Sequence, residues 1–301
     1  MRNMDATESA GLFIPRRLDT PPTELRSAPQ SAPQSAPQSA PQSSPLTAPP
    51  PPSLGAAPAL QAVWARHTDQ VRQAQRLRYR VFAEEMGARL RCPPGTPPGH
   101  DVDAFDDHCE HLLVQTVETA HAPAQVVGTY RVLTPAGAQR AGGLYSDREF
   151  DLSGIDALRP RAVELGRSCT DAAWRHGSVI LMLWGALADF LQRNGLDVSV
   201  GCASVTLHDG GHVAASLWHQ LAQSHLSPEQ MRAVPRVPLP IHALRSDLEV
   251  QPPPLIKGYL KCGGQVLGPP AWDPDFGTAD LPMMMQLADL PAPWRRRFLG
   301  R

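Results

Sequence analysis

The chain lacks an apolar run long enough to span a bilayer. Its most hydrophobic stretch, Val179 to Ala188, ends at Asp189, well short of the roughly 20 residues a membrane helix needs. No apolar leader stands near the start, where Met1 to Thr7 is polar and Pro15 soon follows; the expectation is a soluble, cytoplasmic protein. A surplus of one charge is missing too. The formal net charge is −1, which argues against general nucleic-acid binding, a function that leaves a strongly basic footprint. Cysteine is sparse and scattered. Cys92, Cys109, Cys169, Cys202 and Cys262 show no C-x-x-C spacing, so reduced thiols fit better than a disulfide framework or a zinc site. Without a P-loop, a G-x-G-x-x-G turn or a G-x-S-x-G elbow, nothing supports nucleotide binding or serine hydrolysis.

Proline, by contrast, is abundant, with 33 among 301 residues. From Ser27 to Gln42 the tetrapeptide Ser-Ala-Pro-Gln repeats, and Pro49 to Pro52 is an unbroken proline run. Such a segment buries little and forms no hydrogen-bonded ladder, so residues 1–58 read as a disordered tail. The rest of the chain, 59–301, reads as one domain, and a hydrophobic fraction of 42% gives the chain enough apolar side chain for a core.

Within that domain Leu60 to Ala65 reads as a short strand. A helix follows from Thr68 to about Met86, with Val71, Ala74, Leu77, Val81 and Phe82 on one side and Gly87 at its end. Strands are expected at His111 to Val117, Val126 to Leu133, Ala162 to Thr170 and Val198 to Ala203. Helices are expected at Gly177 to Asn194 and Gly211 to Gln223, and strand-like pieces at Leu255 to Leu260 and Ala279 to Leu287. The alternation predicts a mixed α/β sheet flanked by helices.

Charged residues in unusual places mark the candidates for chemistry. Arg72, Arg76 and Arg80 recur every fourth residue opposite the apolar stripe, either a solvated face or a docking ridge for an anionic partner. Arg78 falls on the apolar stripe itself, where a charge must be paired; a structural ion pair and a substrate contact are both open. The acidic run His100 to His108 carries Asp103 and Asp106 without calcium-loop spacing. No metal is expected there, and the run reads as a solvated loop or as a wall for a protonated amine. Gly128-Thr129-Tyr130-Arg131 and Glu164-Leu165-Gly166-Arg167 set guanidiniums and a carboxylate inside strands. Alternation puts Glu164 and Gly166 on one face and Arg167 on the other, unless a bulge intervenes. Cys169 reads as a small buried thiol before a nucleophile.

Taken in order, these segments resemble a known family. Arg78-Tyr79-Arg80-Val81-Phe82, Asp103-Ala104-Phe105-Asp106 and Glu110-His111-Leu112-Leu113-Val114 come first. Val127 to Arg131, Glu164 to Cys169, Gly201-Cys202-Ala203-Ser204 and Pro254 to Tyr259 continue the series. The series is similar to the ornithine Nα-acyltransferases, a branch of the Gcn5-related N-acetyltransferase fold, over about residues 60–300. Acyl-homoserine-lactone synthases share the skeleton carried here by Arg78, Phe82, Asp103, Asp106, Arg131, Glu164 and Arg167. The resemblance implies transfer of a 3-hydroxyacyl chain from acyl carrier protein to the α-amine of L-ornithine, giving lyso-ornithine lipid. A lactone-type synthase, or an acetyltransferase using coenzyme A, is the alternative. No bound cofactor is implied, the donor carrying its own phosphopantetheine. Trp174 to Val179 keeps one glycine of the usual coenzyme-A turn, which leaves little of a pyrophosphate cradle.

On this reading Glu164 is the base, and Arg131 and Arg167 orient carboxylates or hold the acceptor's carboxylate. Arg78, Phe82, Asp103 and Asp106 face the substrates, with the two aspartates on the cationic acceptor. The amides of Gly166 to Ser168 stabilise the thioester oxyanion. Arg72, Arg76 and Arg80 dock the acidic carrier. The terminal Trp294 to Leu299 segment is either a peripheral membrane contact or a cap on the fold.

Overall fold

The computed structural model describes residues 58–120 and 122–300. Apart from Pro58, the proline-rich tail expected over 1–58 lies outside them. The first strand, β1 (Leu60–Trp64), leads into helix α1 (Thr68–Tyr79). Thr68 is the first helical residue, with extended His67 as the cap. The helix continues as a π-helical turn over Arg80–Glu85, and Gly87, at φ 76°, releases the chain from it.

After the Pro/Gly loop come β2 (Glu110–Thr116), β3 (Val126–Leu133), α2 (Pro135–Ala141) and β4 (Phe150–Asp151). Then follow β5 (Ala162–Thr170), α3 (Ser178–Arg193), β6 (Val198–Thr206), α4 (His212–Ser224) and β7 (Val234–Pro235). The chain ends with α5 (Pro254–Lys261), β8 (Gln265–Val266), β9 (Ala271–Asp273), β10 (Thr278–Gln286) and α6 (Ala292–Leu299). The segment around Leu255 to Leu260, expected as a strand, is helix α5. Pro254 sits in its first turn, where a missing N–H costs nothing, and Ile256 and Tyr259 are buried together at a spacing of three.

The main sheet runs β1-β2-β3-β5-β6-β10, with β8 and β9 both pairing with β10. Its strands are antiparallel except at the centre, where β5 and β6 run parallel. Alternation along β2 assigns the two faces: Leu112 and Val114 pack with Val179, Leu183 and Leu187 of α3, while Leu113 packs with Ala74, Leu77 and Val81 of the first helix. Helices thus cover both faces of a mixed sheet. Among the described residues no helix is long and apolar enough to cross a membrane.

Two irregularities shape the centre. The parallel register of β5 and β6 covers Ala162/Val198, Val163/Ser199 and Glu164/Val200, and beyond it the strands part. Between β3 and β5 the register shifts after Arg131/Gly166, leaving one extra residue on β5. Arg167, at this bulge, has φ 49°, a left-handed conformation that costs a non-glycine residue free energy and concentrates at functional sites.

Candidate active site

Where β5 and β6 separate, a cleft of about 710 Å³ opens, lined by Glu164, Leu165, Gly166, Arg167 and Ser168 from one strand and Cys202 and Ser204 from the other. Phe82 of the π-turn and Tyr259 of α5 also reach it. A Cβ on Gly166 would meet nothing within 4 Å, so the β5 backbone is open to a ligand there. A second cleft of about 480 Å³, lined by Asp103, Arg148 and Trp272 among others, meets the first at Tyr145, Glu149, Arg167, Asp273 and Phe276.

The bulge decides where Arg167 goes. Plain alternation would set it away from Arg131, yet both guanidiniums converge on Asp103, at 3.2 and 2.6 Å. Arg167 also stacks over the rings of Tyr145 and Phe276, at 5.1 and 4.9 Å, a geometry that favours a cation. Asp106 is 6% exposed and accepts from Arg78 at 2.7 and 3.0 Å, from Arg131 at 3.1 Å and from Gln75 at 3.0 Å. Arg78 itself is 1% exposed and donates to the Asp101 carboxylate at 2.8 Å and to the Asp101 carbonyl. Of the two readings open for Arg78, the structure takes the ion pair. Burial works to raise the pKa of Asp106, but the charge and hydrogen bonds of Arg78, then the charge of Arg131, more than offset it. The carboxyl lies well below the usual carboxylate range.

Asp101, Asp103 and Asp106 therefore stand against Arg78, Arg131 and Arg167 in a balanced network. Carboxylates already flanked by guanidiniums offer an ammonium little net field, and Asp106, expected to face a cationic acceptor, lines neither cleft. Asp103 lines the smaller cleft; Asp106 and Arg78 lie behind it and hold its wall.

Glu164 is 4% exposed. Its Oε2 accepts from the Tyr145 N–H, and its Oε1 accepts from the Ser146 N–H at 2.7 Å and from the Ser146 hydroxyl. Burial raises its pKa, opposed by those hydrogen bonds and by Arg131. Cys169 and Cys109 also border the cleft, and burial pushes both thiols up to about 12. Neither forms a thiolate near neutral pH.

The charge left unbalanced lies elsewhere. Glu149, Asp273 and Asp280 bring carboxylate oxygens within 4.8 Å of one another, and among the described residues none of the three has a salt-bridge partner within 4 Å. Burial raises the Glu149 pKa, and the Asp280 and then Asp273 charges push it further above the usual carboxylate range. These carboxylates have the chemistry to hold a cationic group or a metal ion. Sequence reading passed over all three, although an aspartate inside the apolar strand Thr278 to Gln286 is a visible signal for Asp280. The hydroxyls of Tyr130 and Tyr259, also overlooked, hydrogen-bond to each other beside the larger cleft.

The acetyltransferase (GNAT) domain description matches residues 77–185. The L-ornithine N(alpha)-acyltransferase of Brucella abortus is 34% identical over 244 residues, covering 76% of this chain and 84% of that protein. The protein of the same name from Rhodobacter capsulatus is 35% identical over 236 residues, covering 73% and 87%. The chain belongs to the L-ornithine Nα-acyltransferase family. It is an N-acyltransferase with the acetyltransferase fold. Among solved structures, the AHL synthase LasI is 14% identical, with a TM-score of 0.43 over 81% of this acyltransferase and 96% of its own chain.

The row expected to dock a partner is exposed. Arg72 faces Asp69 at 3.6 Å, Arg76 stands 3.5 Å from His100 Nε2, and Arg80 meets Asp171 at 3.1 Å. Such surface pairs hold little energy and leave the arginines free to exchange partners. The terminal segment forms α6, in which Trp294 and Phe298 stack at 5.4 Å and Phe298 lies 3.9 Å from the Cβ position of Gly185 on α3. It caps that helix on one side and presents Arg295, Arg296 and Arg297 outward.

Proposed function

We propose that this acyltransferase moves a 3-hydroxyacyl chain from acyl carrier protein to the α-amine of L-ornithine, yielding lyso-ornithine lipid and free holo carrier. The observation that carries the reading is the pair of joined clefts, which accommodates two substrates of different character. The larger runs along the exposed β5 backbone at Gly166, a surface suited to an extended phosphopantetheine arm, which the donor supplies. The smaller, edged by arginines and uncompensated carboxylates, suits a zwitterion with an added positive charge. The names of the relatives support ornithine as that acceptor.

In this scheme the amides near Gly166 to Ser168 face the thioester carbonyl and stabilise its developing negative charge. Arg167, held by Asp103, edges the acceptor cleft and binds the acceptor's carboxylate, while Arg131, held by the same aspartate, lines the donor cleft. Arg78 and Asp106 hold the wall behind Asp103, while Phe82 packs against the donor. Glu164 orients the turn carrying Tyr145 and Ser146. Burial raises the Tyr259 pKa and keeps its phenol protonated, ready to supply a proton to the departing thiolate.

The test is mass spectrometry of the full chain mixed with 3-hydroxyacyl carrier protein and ornithine. A product with the mass of Nα-(3-hydroxyacyl)ornithine, not formed from acyl coenzyme A, is the expected result. A carrier that stays acylated in the presence of ornithine would refute the assignment.

A further inference from the structure

Two molecules held in separate clefts must react where the clefts join. The shared residues are Tyr145, Glu149, Arg167, Asp273 and Phe276, and each can be asked whether it could take a proton from an ammonium there. Arg167 is a permanent cation, and Phe276 has no proton chemistry. Burial keeps the Tyr145 phenol protonated, its pKa raised above the usual value. Asp273 uses Oδ1 to accept from the N–H groups of Asp275 and Phe276, at 2.8 and 3.1 Å. Glu149 differs. Its side chain hydrogen-bonds with the Cys202 thiol and the Asp280 carboxyl, yet its Oε2 is shielded from solvent and accepts no hydrogen bond, which leaves that oxygen open to a donor in the cleft.

We propose that Glu149 is the catalytic base, its Oε2 removing a proton from the acceptor's α-ammonium where the two clefts meet. This rests on the acyl-transfer reading above and deepens it, replacing Glu164 in the role expected from the sequence. Glu164 has its oxygens engaged by Tyr145 and Ser146, and it does not line the smaller cleft.

The chemistry balances without a co-reactant. The ammonium gives one proton to Glu149, and the freed lone pair forms the N–C bond at the thioester carbonyl. The C–S bond then breaks, and the nitrogen's surplus proton ends on the thiolate, directly or through Tyr259. Glu149 returns its proton to solvent. Of the groups facing Glu149, Asp280 favours a bound proton by charge and by hydrogen bond and Asp273 by charge, while a hydrogen bond from the Cys202 thiol works the other way and favours the carboxylate. Its high proton affinity matches that of an amine, which suits transfer between them. An incoming cation offsets the repulsion among the three carboxylates and helps Glu149 ionise.

The experiment compares the wild-type chain with Glu149→Gln, Glu149→Gly and Glu164→Gly, using 3-hydroxyacyl carrier protein and ornithine. Wild-type product formation is the prior condition; its absence overturns the acyl-transfer reading, whatever the variants do. Glu149→Gln is expected to lose about 10²- to 10⁴-fold in kcat, the usual worth of a general base. KM for ornithine should change by no more than a few-fold, and the rise of kcat with pH should flatten. Added formate should return turnover to folded Glu149→Gly and leave folded Glu164→Gly unrescued. Glu149→Gln within about ten-fold of wild type, or formate rescue confined to a Glu164 variant, would overturn the assignment.

Discussion

Arg78 shows how a single residue can be bound to both fold and site. It lies on the core side of α1, 1% exposed, and its guanidinium meets Asp101 and Asp106. Removing one member of a buried pair strands the other charge, at a cost of about 3–5 kcal/mol. Arg78→Met should lose stability of that order, read as a lower urea midpoint. The pH dependence has a definite sign. Asp103 and Asp106 are held below their usual range, so the stability they contribute is present above the unfolded carboxylate pKa, about 3.9. It is lost as pH falls through their folded values. Glu149, Glu164 and Asp280, shifted upward, work the other way, and their contribution is lost as pH rises. Melting curves below about pH 4 should therefore fall steeply in the wild type and less steeply in Arg78→Met. Equal slopes would show that Arg78 does not set the aspartate pKa values.

At the scale of elements, the strand pair β5–β6 depends on a close approach. A Cβ at Gly201 would collide with the Leu165 carbonyl oxygen, a backbone atom that yields only if the strand moves. Gly201→Ala should cost about 1–3 kcal/mol, as overpacking does, and should displace β5 at the edge of the cleft. A thermal melt together with donor KM checks both; an unchanged melting temperature would mean that the strands separate freely there. Long periodic elements were legible in the sequence. The strand at 126–133, the helix at 178–193 and the strand at 278–286 all fall within two residues of their expected limits. Helix α5 was not, because eight residues after two prolines carry little period. The bulge at Arg167 was named only as an alternative, since one added residue leaves no mark in composition. For the site, charged residues in apolar strands exposed Arg131, Glu164 and Arg167. Glu149 and Asp273 stayed hidden because one lies in a turn and the other ends a strand of three residues, too short to show a period, and they meet only when the chain folds.

At the scale of the whole molecule, net charge near zero conceals an uneven surface. Arg72 and Arg76 are exposed on α1, the helix that continues into the π-turn bearing Phe82 and the cleft edge. An anionic carrier on that face would stand close to the opening. Reversing both, Arg72→Glu with Arg76→Glu, should raise KM for carrier-bound donor several-fold at low salt and less at high salt, where screening shortens the reach of charge. An unchanged KM would remove this face from the docking scheme.

The parallel register of β5 and β6, confined to Ala162/Val198, Val163/Ser199 and Glu164/Val200, makes the sheet a diptych with a short hinge line. Each leaf is an antiparallel ladder in its own right, β1-β2-β3-β5 on one side and β6-β10-β8 on the other, and the small β4–β7 ribbon bridges them a second time. Under tension the molecule has a natural tear line, and the cleft is its beginning. The cleft is thus also the place where cohesion between the leaves is thinnest.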